Sequence, residues 1–115
     1  SVATDKVSYN HLEYVKVTVT YGSHAQQAYA VTLAETLSDN LGIPLSVSWA
    51  SSIVGGAVFC NYKNYTPTTM SLYLPYYAYA GLATVHVNFL SLPPTDKLHV
   101  AVTPEHTTSL YILPA

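Results

Sequence analysis

Residues 67–90 read PTTMSLYLPYYAYAGLATVHVNFL, and this stretch decides the fold class. Apolar and polar residues alternate over 69–74 and again over 82–89, on either side of a corner at 75–81. A period of two, with β-branched and aromatic residues on one side, is typical of half-buried strands. The stretch therefore predicts two strands of a mainly β protein.

Tyrosines crowd this corner and the segment before it, and no residue from 67 to 90 is an Asp, Glu, Lys or Arg. A tyrosine joins an apolar ring to a hydroxyl that can form hydrogen bonds, which suits contact with another protein surface. Packing inside the subunit and a platform for carbohydrate or another ligand are the alternatives. We call this set the tyrosine face and predict that it contacts other subunits; its members are Tyr62, Tyr65, Tyr73, Tyr76, Tyr77 and Tyr79.

The composition is poor in charge. Charged residues make up 9% of the 115 residues, and the net charge is −2, whereas ordinary soluble domains carry about a quarter charged residues. Because nucleic-acid binding requires positive charge to neutralise phosphates, this composition argues against a nucleic-acid partner. A surface with so few charges tends to associate, so we expect an assembly of identical subunits to bury much of it.

The chain length fits one domain, and turn signals separate its short strands. About seven strands are expected, which predicts an antiparallel β-sandwich or jelly-roll-like domain over residues 12–115. In the strand at 97–103, Leu98, Val100 and Val102 are expected to point inward. Besides the two strands of the opening stretch, the predicted strands are 12–21, 43–50, 57–62, 97–103 and 108–113.

Residues 24–41 fit two structures. Apolar residues recur there at helical spacing, Ser23 and Gln26 form a capping-box pattern, and Gly42 gives a stop. On this basis we predict one helix. Alternation within the same segment supports a strand instead, which would form a hairpin with the strand at 12–21.

The N-terminal residues 1–11 are polar and irregular and are expected to form an extended arm. Val2, Val7 and Tyr9 could line one side of it. Such an arm can pair with the open sheet edge of a neighbouring subunit, where backbone hydrogen bonds set the register and alternate side chains fill a groove. A frayed terminus is the alternative.

No pattern of catalytic or metal-binding residues stands out. The acidic residues are scattered, and the sequence contains neither a GxSxG nor a phosphate-binding loop. On the predicted strands His86 and His99 would be diagonal neighbours, with Glu105 or His106 nearby, but no HxH, HExxH or CxxC spacing supports a metal. Cys60, the single cysteine, is expected to be a buried thiol. We predict a protein that is not an enzyme, with no catalytic residue, metal or cofactor.

Two features bear on location. No apolar run reaches the length that a membrane-spanning helix requires. Asn64 begins the sequon Asn-Tyr-Thr in a predicted loop at 63–68, so it is the candidate N-glycosylation acceptor if the chain is exported.

These features resemble two families of structural proteins. The lack of arginine, the richness in tyrosine and threonine, the Asn64 sequon and the arm before the strand at 12–21 resemble secreted archaeal filament subunits with a β-sandwich body. That resemblance implies a cell-surface polymer in which each subunit donates its N-terminal strand to the next. VKVTVTYGSHAQQAYAVTLAE (15–35) and TTMSLYLPYYAY (68–79) resemble strand pairs of picorna-like viral capsid jelly rolls, which implies a place in a virion.

Together the residues and the resemblances predict a structural subunit that forms an extracellular, pilus-like homopolymer by strand donation. A viral capsid protein is one alternative. The other is a secreted sandwich module that binds carbohydrate or another ligand on the tyrosine face, although we expect identical subunits rather than a small molecule to be the partner.

Overall fold

The computed structural model describes residues 1–21, 29–54 and 66–115. These residues contain strands and no helix, which confirms the predicted mainly β fold. No helix of the described ranges is long and apolar enough to cross a membrane. The strands are β1 (Val2–Thr4), β2 (Ser8–Tyr9), β3 (Tyr14–Tyr21), β4 (Tyr29–Ser38), β5 (Pro44–Val54), β6 (Thr66–Tyr73), β7 (Gly81–Leu90) and β8 (His106–Ile112).

The strands form two sheets. The small sheet has the order β1-β3-β6, and the large sheet has the order β2-β8-β7-β4-β5. Neighbouring strands are antiparallel except for β2 and β8, which run parallel. The first two strands therefore belong to different sheets, and β2 and β5 form the edges of the large one.

The core lies between the two sheets. The valines of β3 at positions 15, 17 and 19 are buried, as the alternation of that strand predicts. They pack in one cluster with Leu33, Leu37, Val85 and Val87 of the large sheet. Since each fully buried aliphatic side chain contributes about 1.5–3 kcal/mol, this cluster is the main source of stability.

A buried carboxylate joins the turn after β4 to the tyrosine corner. Asp39 is 4% exposed. Its Oδ1 accepts hydrogen bonds from the backbone N–H groups of Leu41 and Ile43, both at 3.0 Å, and its Oδ2 accepts one from Tyr79 at 3.1 Å. Because buried charge is tolerated only with such partners, Asp39 fixes the two turns against each other.

The helix predicted at 24–41 is wrong over Tyr29–Ser38, which form β4; residues 24–28 lie outside the described ranges. β4 does not pair with β3 either, because its neighbours are β5 and β7. A strand between two others in a sheet can be buried on both faces, as Thr32 and Leu33 are here. Such a strand carries apolar residues on both sides, so its pattern also fits helical spacing.

The predicted strand at 97–103 is also wrong. The segment forms a single bridge, between Ala101 and Leu90, and Leu98, Val100 and Val102 are 75%, 60% and 48% exposed rather than inward. The antiparallel neighbour of β7 on this side is β8, which occupies it as far as Val87. Beyond Val87 three residues of β7 remain on that side, and among the described residues only Leu90 pairs with the segment.

The other strand predictions have varied outcomes. The strands predicted at 12–21 and 108–113 correspond to β3 and β8. The strand predicted at 43–50 is β5, which extends to Val54. The prediction for 57–62 lies outside the described residues.

Candidate assembly surfaces

The N-terminal arm crosses from one sheet to the other. β1 pairs with β3, with Val2 opposite Val19, and Ser1 and Thr20 exchange two backbone hydrogen bonds of 2.9 Å. Farther along, the N–H of Tyr111 donates to the carbonyl of Val7 at 2.9 Å. The arm therefore covers the edge of β3 and part of the edge of β8.

The three arm residues singled out by sequence have different environments. Tyr9 is fully buried, Val2 is half-buried against the core, and Val7 is 81% exposed. The hydroxyl of Tyr9 donates to Asp5 and accepts from the N–H of Lys6 at 2.9 Å. Burial, and next the bond to Asp5, raise the pKa of Tyr9 to about 12. Tyr9 is thus the side chain that anchors the arm.

A strained turn connects the arm to β3. The N–H of Glu13 donates to the carbonyl of Asn10, and Leu12 has a φ of +71°. A branched side chain is strained in this left-handed conformation, which glycine or asparagine adopts more readily. Residues 10–13 therefore join the arm to β3 through a strained position, and the N–H of Leu12 donates to the carbonyl of Leu74 at 2.7 Å.

Much of the tyrosine face is exposed. Tyr73, Tyr76, Tyr77 and Tyr79 are 40–79% exposed, whereas Tyr62, Tyr65 and the Asn64 sequon lie outside the described residues. The rings of Tyr76 and Tyr77 meet edge to face at 5.5 Å. Sequence reasoning missed Tyr14, whose ring lies 5.2 Å from that of Tyr73 across the β3–β6 pair. The alternation in β3 already placed Tyr14 on the outer face and could have revealed it.

Apolar side chains also cover the outer side of β5, and sequence reasoning did not single them out. Val47, Trp49 and Ile53 are 56%, 41% and 69% exposed, and we call them the β5 stripe. The alternate residues of β5 face the small sheet, as the 3.7 Å contact of Ser48 Oγ with Met70 Sδ shows. Serine at these alternate positions is the signal that the apolar side of this strand could face outward.

Glu35 of β4 is buried in the sandwich. It lies in register between Ser48 and Val87, its side chain is fully buried, and its two carboxyl oxygens have no hydrogen-bond partner among the described residues. Burial raises the pKa of Glu35 to about 7. No sequence pattern indicates this burial, because Glu35 is a single acidic residue in an alternating strand.

The histidines do not come together. His86 is hydrogen-bonded through Nε2 to Ser38 Oγ at 2.9 Å and through Nδ1 to Glu105, and its neighbour on β8 is Thr107. His99 is not beside it, because segment 97–103 meets β7 only at the bridge between Ala101 and Leu90. In the described ranges no group of three potential metal ligands forms.

Hollows lined by described residues include one at the end of the sandwich and one at an edge of the large sheet. One, of about 360 Å³, lies at the end of the sandwich near Val2, Val19 and Phe89. The other, of about 490 Å³, lies at the β2–β8 edge of the large sheet, and we call it the edge groove. Its lining includes Val7, Ala80, Gly81, Tyr111, Leu113 and Pro114.

Comparison with known protein families and with curated proteins identified no relative of this chain. No model of a known protein family matches this chain, and no curated protein matches its sequence. What the protein does is therefore inferred from its own residues and geometry.

Proposed function

We propose that the protein is a structural subunit that assembles into an extracellular, pilus-like filament by exchanging its N-terminal arm with a neighbour. One observation carries the proposal. The exposed large hydrophobic side chains of the described residues outnumber the four lysines and six acidic residues of the entire chain. Two of those acidic residues, Glu35 and Asp39, are buried and contribute no surface charge.

Scattered apolar side chains are normal on protein surfaces, but contiguous ones mark contact sites. Here seven of the twenty exposed large hydrophobic side chains belong to two groups, four on the tyrosine face and three on the β5 stripe, and the others lie elsewhere on the described residues. Few charges stand between these groups to oppose association through repulsion or hydration. Burial by further copies of the subunit accounts for both groups without a second protein.

The arm supports exchange because its contacts are formed with other elements of the chain. Val2 pairs with β3. The carbonyl of Val7 accepts from the N–H of Tyr111 in β8, and the carbonyl of Tyr9 accepts from that of Leu113, just after β8. An arm from a neighbour can form the same contacts, so exchange conserves their energy. Opening the turn at 10–13 would release the strain at Leu12, which costs about 1–2 kcal/mol. Exchange of identical elements is a common route to assembly.

A disulfide experiment distinguishes an arm that is exchanged with a neighbouring subunit from an arm that pairs with β3 of its own chain. Ala3 and Thr18 are cross-strand neighbours of β1 and β3, and such Cα pairs lie within reach of a disulfide. In a Cys60→Ala background, Ala3→Cys with Thr18→Cys should yield a ladder of linked chains on non-reducing gels after oxidation of the assembled protein. Lys16→Cys with Ser71→Cys, neighbours on β3 and β6, is the matched control and should link only within one chain.

Electron microscopy of the same samples tests the subunit itself. Ordered filaments support the proposal, closed shells favour the capsid alternative, and dispersed monomers at millimolar concentration contradict both. If filaments form while the Ala3–Thr18 pair links only within chains, arm exchange is wrong, although the protein is still a filament subunit.

A further inference from the structure

A hydrogen-bonded chain of a serine, a histidine and a glutamate lies on the outer face of the large sheet. Ser38 Oγ is 2.9 Å from Nε2 of His86, and Nδ1 of the same ring is hydrogen-bonded to Glu105. The three residues come from the end of β4, the middle of β7 and the position just before β8. Because they lie far apart along the chain, the sequence predicted no nucleophile.

The register of the sheet brings these side chains together. Ser38 lies opposite Thr84 of β7, so His86, two residues farther along, is its diagonal neighbour on the same face. The residues on either side of His86 are buried in the core, so its imidazole lies on the outer face. The side chains of His86 and Glu105 are 35% and 44% exposed, whereas Ser38 is 8% exposed. The hydroxyl is thus partly shielded, which restricts it to small reagents.

The hydrogen bonds fix the positions of the protons. A carboxylate can only accept a hydrogen bond, so Nδ1 of His86 carries a proton and Glu105 accepts from it. The neutral ring then has its lone pair on Nε2, which accepts from the hydroxyl of Ser38. The other acceptor near that hydroxyl is the carbonyl of Thr84 at 3.5 Å, which is longer than a normal O–H···O bond. A hydroxyl, an imidazole and a carboxylate in this order activate serine nucleophiles on unrelated folds.

We propose that Ser38 is a nucleophile toward small, activated carboxylic esters, with His86 as the general base and Glu105 as the positioning residue. Oγ bonds to the ester carbonyl carbon while Nε2 takes the hydroxyl proton; the bond from that carbon to the leaving oxygen then breaks, and Nε2 gives the proton to this oxygen. Water attacks the acyl-serine through the same proton transfer, which releases the acid and restores Ser38. The site shares no residue with the arm, the tyrosine face or the β5 stripe, so this activity goes beyond the proposed function and does not depend on it.

The surroundings of the ring indicate the class of substrate. Neither hollow described above includes Ser38 or His86. Thr36 and Thr107 lie directly opposite His86 on the neighbouring strands, and neither carries a charge that would select a charged substrate. A sheet face stabilises a developing oxyanion less than an enclosed set of N–H donors does. Esters whose leaving groups depart without help, such as the aryl ester p-nitrophenyl acetate, are therefore the expected substrates.

Covalent labelling of the full chain tests the nucleophile. A fluorophosphonate should form a bond from phosphorus to Ser38 Oγ with loss of fluoride, and tandem mass spectrometry should locate the adduct there. Ser38→Ala should abolish the adduct. Ser109→Ala is the matched control, because Ser109 is an exposed serine on the same face, opposite Thr84, and should leave labelling unchanged. Unmodified protein unfolded in urea should not be labelled, since unfolding separates the hydroxyl from His86.

Reaction rates test the two partners of Ser38. His86→Gln keeps a hydrogen-bond acceptor but removes the base, and it should slow both labelling and the release of p-nitrophenol at least about 100-fold. Glu105→Gln can still accept from Nδ1 but lacks the negative charge, and it should slow both at least about tenfold with an unchanged circular dichroism spectrum. The proposal is wrong if no adduct forms on Ser38, if no p-nitrophenol is released, or if either variant reacts as fast as the unmodified protein. Neither measurement requires assembly, so failure here leaves the filament proposal intact.

Discussion

Strands β3 and β5 both alternate apolar and polar residues, but the apolar side of β3 faces the core whereas the apolar side of β5 faces solvent. In β3, Val17 is buried and Lys16 is exposed. In β5, Val47 is 56% exposed and Ser48 lies on the inner side against Met70. Alternation states which residues share a face, whereas the direction of that face depends on register and on the opposing sheet.

The difference is informative because β3 is the middle strand of its sheet and β5 is an edge strand. Solvation alone would place valine and tryptophan inside on both strands. An edge strand that turns its apolar side outward is exposed to association with other chains. We infer that β3 stabilises the subunit, and that β5 serves contacts between subunits.

The same substitution in the two strands gives the largest expected effect. Val17→Asp places a carboxylate in the apolar core, which costs several kcal/mol, so the chain should not fold at neutral pH. Val47→Asp should change the free energy of unfolding by less than about 0.5 kcal/mol and instead weaken assembly. Urea unfolding followed by circular dichroism measures the first quantity, and light scattering measures the second. Equal destabilisation by the two variants would contradict the assignment of inner and outer faces.

The inner side of β4 and β5 differs from that of β3 in holding Glu35. The pKa of Glu35 is raised from 4.5 to about 7, so the folded protein holds this proton at pH values where the unfolded chain has lost it. The contribution of this bound proton to the free energy of unfolding is fully present below pH 4.5 and is lost as the pH rises through about 7. At about 1.4 kcal/mol per pKa unit, the loss is about 3 kcal/mol.

Glu35→Gln should therefore flatten the dependence of unfolding free energy on pH between 4.5 and 7, and it should stabilise the protein above that range. Asp39→Asn is the matched contrast, because that carboxylate accepts three backbone N–H bonds and the amide cannot replace them all. It should destabilise by about 1–3 kcal/mol. A Glu35→Gln variant that keeps the pH slope of the unmodified protein would show that another group titrates.

The sequence predicted what local alternation determines. It identified the β class, the buried valines of β3 and the strand that became β8. It also grouped tyrosines at a corner that the structure exposes, although whether they contact other subunits stays a prediction.

The wrong predictions concern segments whose structure depends on strands that are distant in the sequence. Segment 97–103 has a strand pattern, but β8 already occupies the neighbouring edge of β7. β4 was predicted as a helix because both of its faces are buried, so its apolar residues do not follow a clear two-residue alternation. Glu35 was missed because no local pattern reveals that the opposing side chains offer it no hydrogen bond.

The smallest expected effect concerns the outer face of β3. The rings of Tyr14 and Tyr73 are directly opposite on β3 and β6, with centroids 5.2 Å apart and planes tilted by 54°. Cross-strand aromatic pairs of this kind contribute about 0.5–1 kcal/mol.

A double-mutant cycle with Tyr14→Ala and Tyr73→Ala should return a coupling energy of that size in the free energy of unfolding. The matched cycle combines Tyr14→Ala with Tyr111→Ala, which lies on the other sheet, and these two should be additive within about 0.5 kcal/mol. Both cycles are measured on monomer at low concentration, so that assembly does not contribute. Coupling in the control as large as in the pair would show that the contact between Tyr14 and Tyr73 adds no specific stability to the outer face of β3.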